Sequence, residues 1–198
     1  MSIPRGTTRP YLVAIRAMLV LTVLVGVGYP LLVTGAALLL PAQANGSLLS
    51  RDGQVVGSSL IGQSFTDADG AALPEWFQSR PSTTGYDGGA SSGSNLGPNS
   101  SDLTAAIAER RAAITALDGA TAIPADALTA SGSGLDPQIS PDYALLQVPR
   151  VSAARGLDEQ QLRALVASMI QGRDLGFLGE ETVNVLRLNL AVAALGTN

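Results

Sequence analysis

With 198 residues the chain has room for one globular domain and a membrane anchor, and 46% hydrophobic against 14% charged residues favours a membrane protein. All twelve basic residues are Arg, and the absence of Lys, His and Cys excludes a phosphate-loop lysine, a Ser-His-Asp or Cys-His nucleophile, an ordinary zinc site and disulfides. The net charge of −4 combines +3 in residues 1–16 with −7 in the rest, nine Arg against sixteen acids, and so acidic a domain excludes nucleic acid as a partner.

The first predicted element is a transmembrane helix. Residues 17–40 carry no charge over 24 positions, and about 20 apolar residues are enough to cross a bilayer as a helix. Ala42-Gln43-Ala44 also fits the cleavage pattern of a signal peptide, but the apolar region of such a peptide spans only about 7–15 residues. We therefore predict an anchor that is retained.

The orientation of this span follows from the arginines near its ends. Three precede it and only Arg51 follows within reach; the three are Arg5, Arg9 and Arg16. The positive-inside rule then predicts a cytoplasmic tail of residues 1–16, a transmembrane helix of residues 17–40 and an extracytoplasmic soluble domain of residues 41–198. The predicted location is the cell (inner) membrane, crossed once with the N-terminus in the cytoplasm.

A proline and several small residues indicate that the span packs against other helices. Pro30 lacks an N–H and is expected to kink the helix. Gly28 and Gly35 are seven residues apart and so share one face, where small side chains allow close approach. The predicted partner interface in the membrane consists of Thr22, Gly26, Gly28, Pro30 and Gly35. The alternative is that glycine is simply common in such helices.

The outer domain is predicted to be α+β. Asp52-Gly53 between two apolar pairs predicts a hairpin over residues 47–58, and a short strand is expected over residues 59–65. Residues 83–101 consist almost wholly of Gly, Ser, Asn and Pro and predict a long loop, and residues 120–141 return to loop.

Between and after these loops the apolar periodicity predicts helices. Ser101 or Asp102 caps a helix that runs to about Leu117. The aromatic residues that precede the first loop are expected in the core, because each buries a large apolar area; they are Trp76, Phe77 and Tyr86.

The last third of the chain predicts two further helices and a mixed segment. Ser140-Pro141 is a favoured helix start, and Pro149 is expected to bend or end that helix before it continues. Asp158 resembles the start of a capping box for the next helix. Residues 182–195 read as a strand followed by a helix.

Several motifs taken together resemble one family. They are Ser91-Ser92-Gly93-Ser94-Asn95-Leu96-Gly97-Pro98, residues 128–137 with 139–141, Gln147-Val148-Pro149-Arg150-Val151 with Ala154-Arg155, and residues 183–186 with 188–190. With Arg80-Pro81-Ser82 and the single N-terminal span, they resemble the C subunit of the Kdp potassium-transporting ATPase over nearly the whole chain.

The resemblance implies a non-catalytic accessory subunit of a high-affinity, ATP-driven potassium uptake complex. Its implied partners are a channel-like subunit that selects the ion, a P-type ATPase subunit that hydrolyses ATP, and a small single-span subunit. The family's C subunit is described as a catalytic chaperone that raises the pump subunit's affinity for ATP. No cofactor of its own is implied; ATP would be met through the pump subunit, with Gln147, Arg150 and Arg155 as nucleotide or partner contacts.

The charge pattern and this description disagree on one point. ATP is cytoplasmic, whereas the charge rule places the domain outside. Two hypotheses therefore stay open. In the one that we prefer physically, the acidic domain caps the outer mouth of the channel-like subunit and raises the local cation concentration. In the other, Arg150 and Arg155 contact phosphate, although such arginines are more often solvated or paired structural residues.

Two other function classes fit parts of the sequence. A hydrolase using paired carboxylates would need Asp67 with Asp69, or Glu180 with Glu181, although neighbouring acids are usually a solvated surface. A membrane-anchored extracytoplasmic binding or sensor module is the alternative to a complex subunit. The sequence predicts no catalytic residue and no metal site.

Overall fold

The computed structural model describes residues 8–196, which form two compact units that divide between Ser47 and Leu48. The first unit is built around one long apolar helix, and the second is a domain of short strands and helices. We keep the name outer domain for the second unit, from its predicted location. The predicted fold class, an α+β domain after one N-terminal helix able to cross a membrane, is confirmed. Part of the predicted tail, including Arg5, lies outside the described residues.

The long helix runs from Thr8 to Ala37 and has a mean hydropathy of 2.2 in its most apolar stretch, of which nothing is buried. At 1.5 Å per residue its length of about 45 Å exceeds the bilayer core of about 30 Å. The helix starts before residue 17 and ends before residue 40, so its bounds differ from those of the predicted span. The points at which the chain enters and leaves the membrane stay predictions. Its parts are α1 (Thr8–Leu21), a π-helical segment (Thr22–Gly28) and α2 (Tyr29–Ala37), followed by the short α3 (Pro41–Ala44).

Pro30 is the second residue of α2, which follows the π-helical segment directly. The N–H of Tyr29 donates to the carbonyl of Leu24, five residues earlier. In a regular helix Pro30 would leave the carbonyl of Gly26 without a donor and its ring would collide with that group. A π-bulge is a turn with i→i+5 hydrogen bonds inside a helix that otherwise continues as an α-helix. Where the sequence predicted a kink, the structure thus shows a shift of hydrogen-bond register ahead of α2.

The hairpin predicted over residues 47–58 is confirmed. Strand β1 (Leu48–Arg51) pairs antiparallel with β2 (Gln54–Ser58). Asp52 and Gly53 between them have φ angles of 52° and 78°, as both central residues of a type I′ turn require.

The strand predicted over residues 59–65 is wrong. These residues form turns and irregular backbone, and the N–H of Gly62 donates to the carbonyl of Leu135 at 2.8 Å. The backbone therefore pairs with a distant loop and not with a neighbouring strand. The long loop is confirmed, because residues 83–100 contain neither helix nor strand.

Residues 120–141 are less irregular than predicted. They contain the short helix α5 (Ala125–Leu128) and strand β3 (Gln138–Ile139). Strand β3 pairs antiparallel with β4 (Val183–Asn184). Its partner lies far along the chain, so local composition does not reveal the strand.

Helix α4 (Ser101–Asp118) begins one residue before the prediction. Ser100, and neither Ser101 nor Asp102, is its N-cap, and the Ser100 hydroxyl accepts a hydrogen bond from the N–H of Leu103. The helix ends at Gly119, which adopts the left-handed conformation at φ 67°.

Helix α6 (Pro141–Arg155) starts after the Ser140 cap, as predicted, but passes through Pro149 without interruption, so an end at Pro149 is wrong. Helix α7 (Glu159–Ser168) is capped by Asp158 as predicted. The strand-then-helix prediction for residues 182–195 is also confirmed, by β4 and by helix α8 (Val185–Leu195).

Helices α6, α7 and α8 pack around Phe77 to form the core of the outer domain. Phe77 is fully buried as predicted, whereas Trp76 is half-buried against Phe65 and Tyr86 is half-buried in another part of the domain. The fully buried apolar side chains from the three helices include Val148, Val151, Leu162, Val166, Leu188 and Val192.

Candidate functional site

Side chains of helix α6 and helix α8 bind the backbone of segment 74–78, which begins as a turn and continues as irregular backbone. The side-chain amide of Asn189 accepts from the N–H of Phe77 and donates to its carbonyl, both at 2.9 Å. Gln147 does the same for Gln78, at 2.6 and 3.1 Å. Both amides are buried. They satisfy the backbone N–H and carbonyl groups of Phe77 and Gln78, which a neighbouring strand would otherwise have to pair.

Arg150 binds the same segment from the next turn of α6. Its Nη1 donates to the carbonyls of Pro74 and Trp76 at 2.6 and 2.9 Å, and its Nη2 donates to Oε1 of Gln147 at 2.7 Å. Its Nε forms an ion pair at 2.7 Å with Asp118, and the two side chains are only 7% and 2% exposed. A buried pair of this kind is tolerated when further hydrogen bonds accompany it, and here the other donors of Arg150 supply them.

Arg155 completes the arrangement at its edge. Its guanidinium lies 4.0 Å from the centre of the Trp76 ring, a cation–π contact, and its Nε donates to the carbonyl of Glu75 at 2.6 Å. Burial lowers the pKa of the Arg155 guanidinium, and the charge of Glu75 opposes this shift. We call these contacts of Gln147, Arg150, Arg155 and Asn189 with residues 74–78 the clamp.

The structure therefore brings the three predicted contact residues together, and all of them hold the chain itself. The polar atoms of Gln147 and Arg150 are engaged inside the fold, with the Arg150 side chain only 7% exposed, whereas Arg155 is half-buried at the edge. A contact to nucleotide or to a partner stays a prediction. Sequence reasoning missed Asn189 as a member of the clamp, although one amide in the apolar run of α8 was a visible signal.

Two of the resembling motifs pack on each other in a second cluster. The N–H of Ser92 donates to the carbonyl of Ser133 at 3.0 Å, and the Ser82 hydroxyl donates to the carbonyl of Gly134 at 2.6 Å. The Gly134 N–H is taken by the Ser131 hydroxyl, which makes residues 131–134 a turn satisfied by its own side chains. We call residues 80–98 with residues 129–137 the loop cluster.

Arg80 fastens the base of the loop cluster. It forms an ion pair with Asp136 at 2.8 Å, while its Nε is buried without a hydrogen-bond partner. The Tyr86 hydroxyl donates to the carbonyl of Arg80 at 2.6 Å, and burial raises the pKa of Tyr86 to about 12. Gly62 touches both Tyr86 and the Asp136 backbone so closely that a Cβ would lie 2.4 Å from the tyrosine ring.

The carboxylate pairs weighed for hydrolysis serve local structure. Oδ1 of Asp67 accepts from the N–H groups of Asp69 and Ala71, which is a turn motif. Glu180 pairs with Arg173 on the surface. Within residues 8–196, no three His, Cys, Asp or Glu side chains come together as a potential metal site.

The predicted interface residues of the long helix are all exposed. A Cβ added at Gly35 would meet nothing within 4 Å, and one at Gly26 would meet only the Thr22 methyl at 3.7 Å. Thr22, Gly26 and Gly28 lie in the π-helical segment, and Pro30 and Gly35 in α2. Their contact with another helix stays a prediction.

Comparison with known proteins decides the family. The family model described as the c chain of the K⁺-transporting ATPase, KdpC, matches residues 11–194. The chain belongs to the KdpC family. Proteins described as potassium-transporting ATPase KdpC subunits are 55% identical in Kineococcus radiotolerans (88% of each chain) and 54% identical in Gemmatimonas aurantiaca (94% of this chain, 92% of the relative). The similar protein of Mycobacterium tuberculosis is 51% identical over 94% of this chain and 99% of its own.

Family membership fits both units of the structure. The match begins inside α1 and ends in α8, so it includes the apolar helix, the clamp and the loop cluster. The chain is thus a KdpC-type subunit of a potassium-transporting ATPase with one N-terminal helix suited to a membrane.

Proposed function

We propose that this chain is a non-catalytic accessory subunit whose outer domain docks on the extracytoplasmic side of the potassium-conducting partner and caps its entrance. The helix Thr8–Ala37 anchors it among the other subunits. The observation that carries this proposal is the clamp. Gln147 and Arg150, which the sequence predicted as nucleotide contacts, have their polar atoms bound within the fold, which favours the capping role over direct contact with ATP.

Charge supports a role near a cation pathway. The outer domain carries all of the −7 of the chain beyond residue 16, nine Arg against sixteen acids. An acidic surface raises the local concentration of cations and can steer them toward an entrance. The effect acts at long range, so it requires no individual potassium-binding residue.

An influence on ATP affinity is compatible with this proposal only as an indirect effect of assembly. The accessible clamp residue Arg155 provides the test. We expect Arg155→Ala, in the purified complex, to leave the KM of the pump for ATP within about twofold, because a residue that does not contact the nucleotide contributes little to its binding. A large rise in that KM would favour direct nucleotide contact and contradict the proposal.

Single cysteines test the orientation cleanly, because the chain contains no Cys. We expect Asn95→Cys, exposed in the loop cluster, to react with a membrane-impermeant maleimide in intact cells. Ser2→Cys, in the predicted cytoplasmic tail, should react only after permeabilisation. The reverse pattern would exclude capping from outside.

A further inference from the structure

Residues 171–182, between α7 and β4, form a short projecting hairpin with an apolar end. Leu175, Phe177 and Leu178 are 83%, 69% and 50% exposed. We call these three side chains the tip. Among the aromatic residues of the described outer domain, Phe177 is the exposed one. Large apolar groups that stand together in water commonly mark an interaction site.

The hairpin that carries the tip is held in one shape. Gln171 and Thr182 exchange both backbone hydrogen bonds, at 2.7 and 3.0 Å, and Asp174 and Leu178 exchange a second pair at 2.9 Å. The Gln171 side chain also accepts from Gln138 of β3 at 3.0 Å. The tip is therefore presented by an ordered scaffold, which reduces the entropy lost on binding.

Leu175 has an exposed side chain and an unfavourable backbone conformation. Its φ is +54°, a region that a bulky residue rarely adopts and that glycine adopts freely. Backbone strain of this kind is concentrated at functional sites.

We propose that the tip is an anchor that inserts into an apolar pocket on another subunit of the potassium-transporting ATPase, with basic groups at the pocket rim. This inference rests on the proposed function, since it assigns that docking to specific residues. Aromatic side chains such as Phe177 are enriched at protein interfaces, where a few centrally buried residues contribute most of the binding energy.

Charge favours a protein pocket over a lipid surface. Residues 171–182 contain one Arg, Arg173, against three acids, Asp174, Glu180 and Glu181, a net charge of −2. An anionic membrane repels such a segment and attracts basic ones. A basic rim around an apolar pocket complements it.

A photoreactive residue tests the occupant directly. In the full-length chain coexpressed with the complex, p-benzoylphenylalanine replacing Phe177 should crosslink to another subunit of the ATPase on illumination. The same residue at Leu60, which is 63% exposed outside the hairpin, is the control and should crosslink much less. Crosslinking only to lipid, or equal crosslinking at both positions, would overturn the proposal.

Copurification in detergent supplies the second measurement. We expect Phe177→Ala to weaken retention of the chain by the tagged complex about tenfold or more, and Leu60→Ala to change it little. Leu175→Gly should weaken retention without loss of thermal stability, since it relieves the positive φ. Unchanged retention of both tip variants would overturn the proposal that the tip is an anchor. Failure of the unaltered chain to copurify would instead overturn the proposed function itself.

Discussion

At the scale of the residue, Arg150 links three parts of the outer domain through one guanidinium: its own helix α6, the end of α4 through Asp118, and segment 74–78. Loss of the guanidinium leaves the Asp118 carboxylate buried and unpaired. We expect Arg150→Ala to lower the free energy of unfolding by about 3–5 kcal/mol, the usual effect of breaking a buried ion pair.

Arg163 offers a matched control for Arg150. It pairs with Glu159 on the surface of α7, where the two side chains are 44% and 47% exposed. Arg163→Ala should cost less than about 1 kcal/mol. Urea unfolding of the full-length chain in detergent, followed by the fluorescence of the single Trp, measures both variants. Equal losses would contradict the structural role assigned to Arg150.

Tyr86 gives the loop cluster a pH limit on the alkaline side. Burial raises the pKa of its phenol from 10.0 to about 12, so the fold favours the neutral form. The corresponding stabilisation is complete below pH 10 and disappears as the pH rises through 12. We expect the melting temperature to fall over this range, and to fall less steeply in Tyr86→Phe. A parallel decline in both proteins would show that other groups, such as Tyr143, control the loss.

At the scale of the element, the loop cluster depends on glycine at one position and tolerates alanine two residues away. Gly134 has φ 68°, and a Cβ there would lie 2.6 Å from Oγ1 of Thr84 and 2.8 Å from the carbonyl of Ser92. At Gly132 a Cβ would meet nothing within 4 Å. The close approach of the two loops therefore requires the absence of a side chain at residue 134.

The two glycines provide a paired test. Gly134→Ala should destabilise the domain by about 1–3 kcal/mol through backbone strain alone, with the steric overlap added to that. Gly132→Ala should change stability by less than about 1 kcal/mol. Thermal unfolding measures both, and hydrogen exchange at Ser92 and Ser133 reports whether the loops separate. Similar effects of the two substitutions would contradict the packing described.

At the scale of the whole molecule, the exposed helix predicts assembly. A Cβ at Gly35 would meet nothing within 4 Å in the described part of the chain, so we expect Gly35→Leu to leave the outer domain unchanged and to prevent close approach of another helix. We expect a loss of about 1–2 kcal/mol in association, a factor of about 5–30. Val33 lies about 200° around the helix from Gly35, and Val33→Leu is the control. Copurification with the other subunits measures both, and an equal effect would place the interface elsewhere.

Patterns that act locally were readable from the sequence. Charge-free length predicts the long helix, the Asp52-Gly53 pair predicts the first hairpin, and the Ser140 and Asp158 caps predict two helix starts. Each depends on neighbours within a few residues. The family could be identified from the sequence too, because its motifs are contiguous stretches of residues.

Only the tertiary structure decided which contacts the residues of these motifs make. Gln147, Arg150 and Arg155 were identified as contact residues, but their partners lie 69 to 80 residues earlier in the chain, in segment 74–78. Strand β3 and the turn at Gly62 likewise depend on distant backbone. The sequence by itself determined the long apolar helix, the fold class and the family. Whether a polar group faces a ligand or the interior depends on packing between distant segments, which no local pattern records.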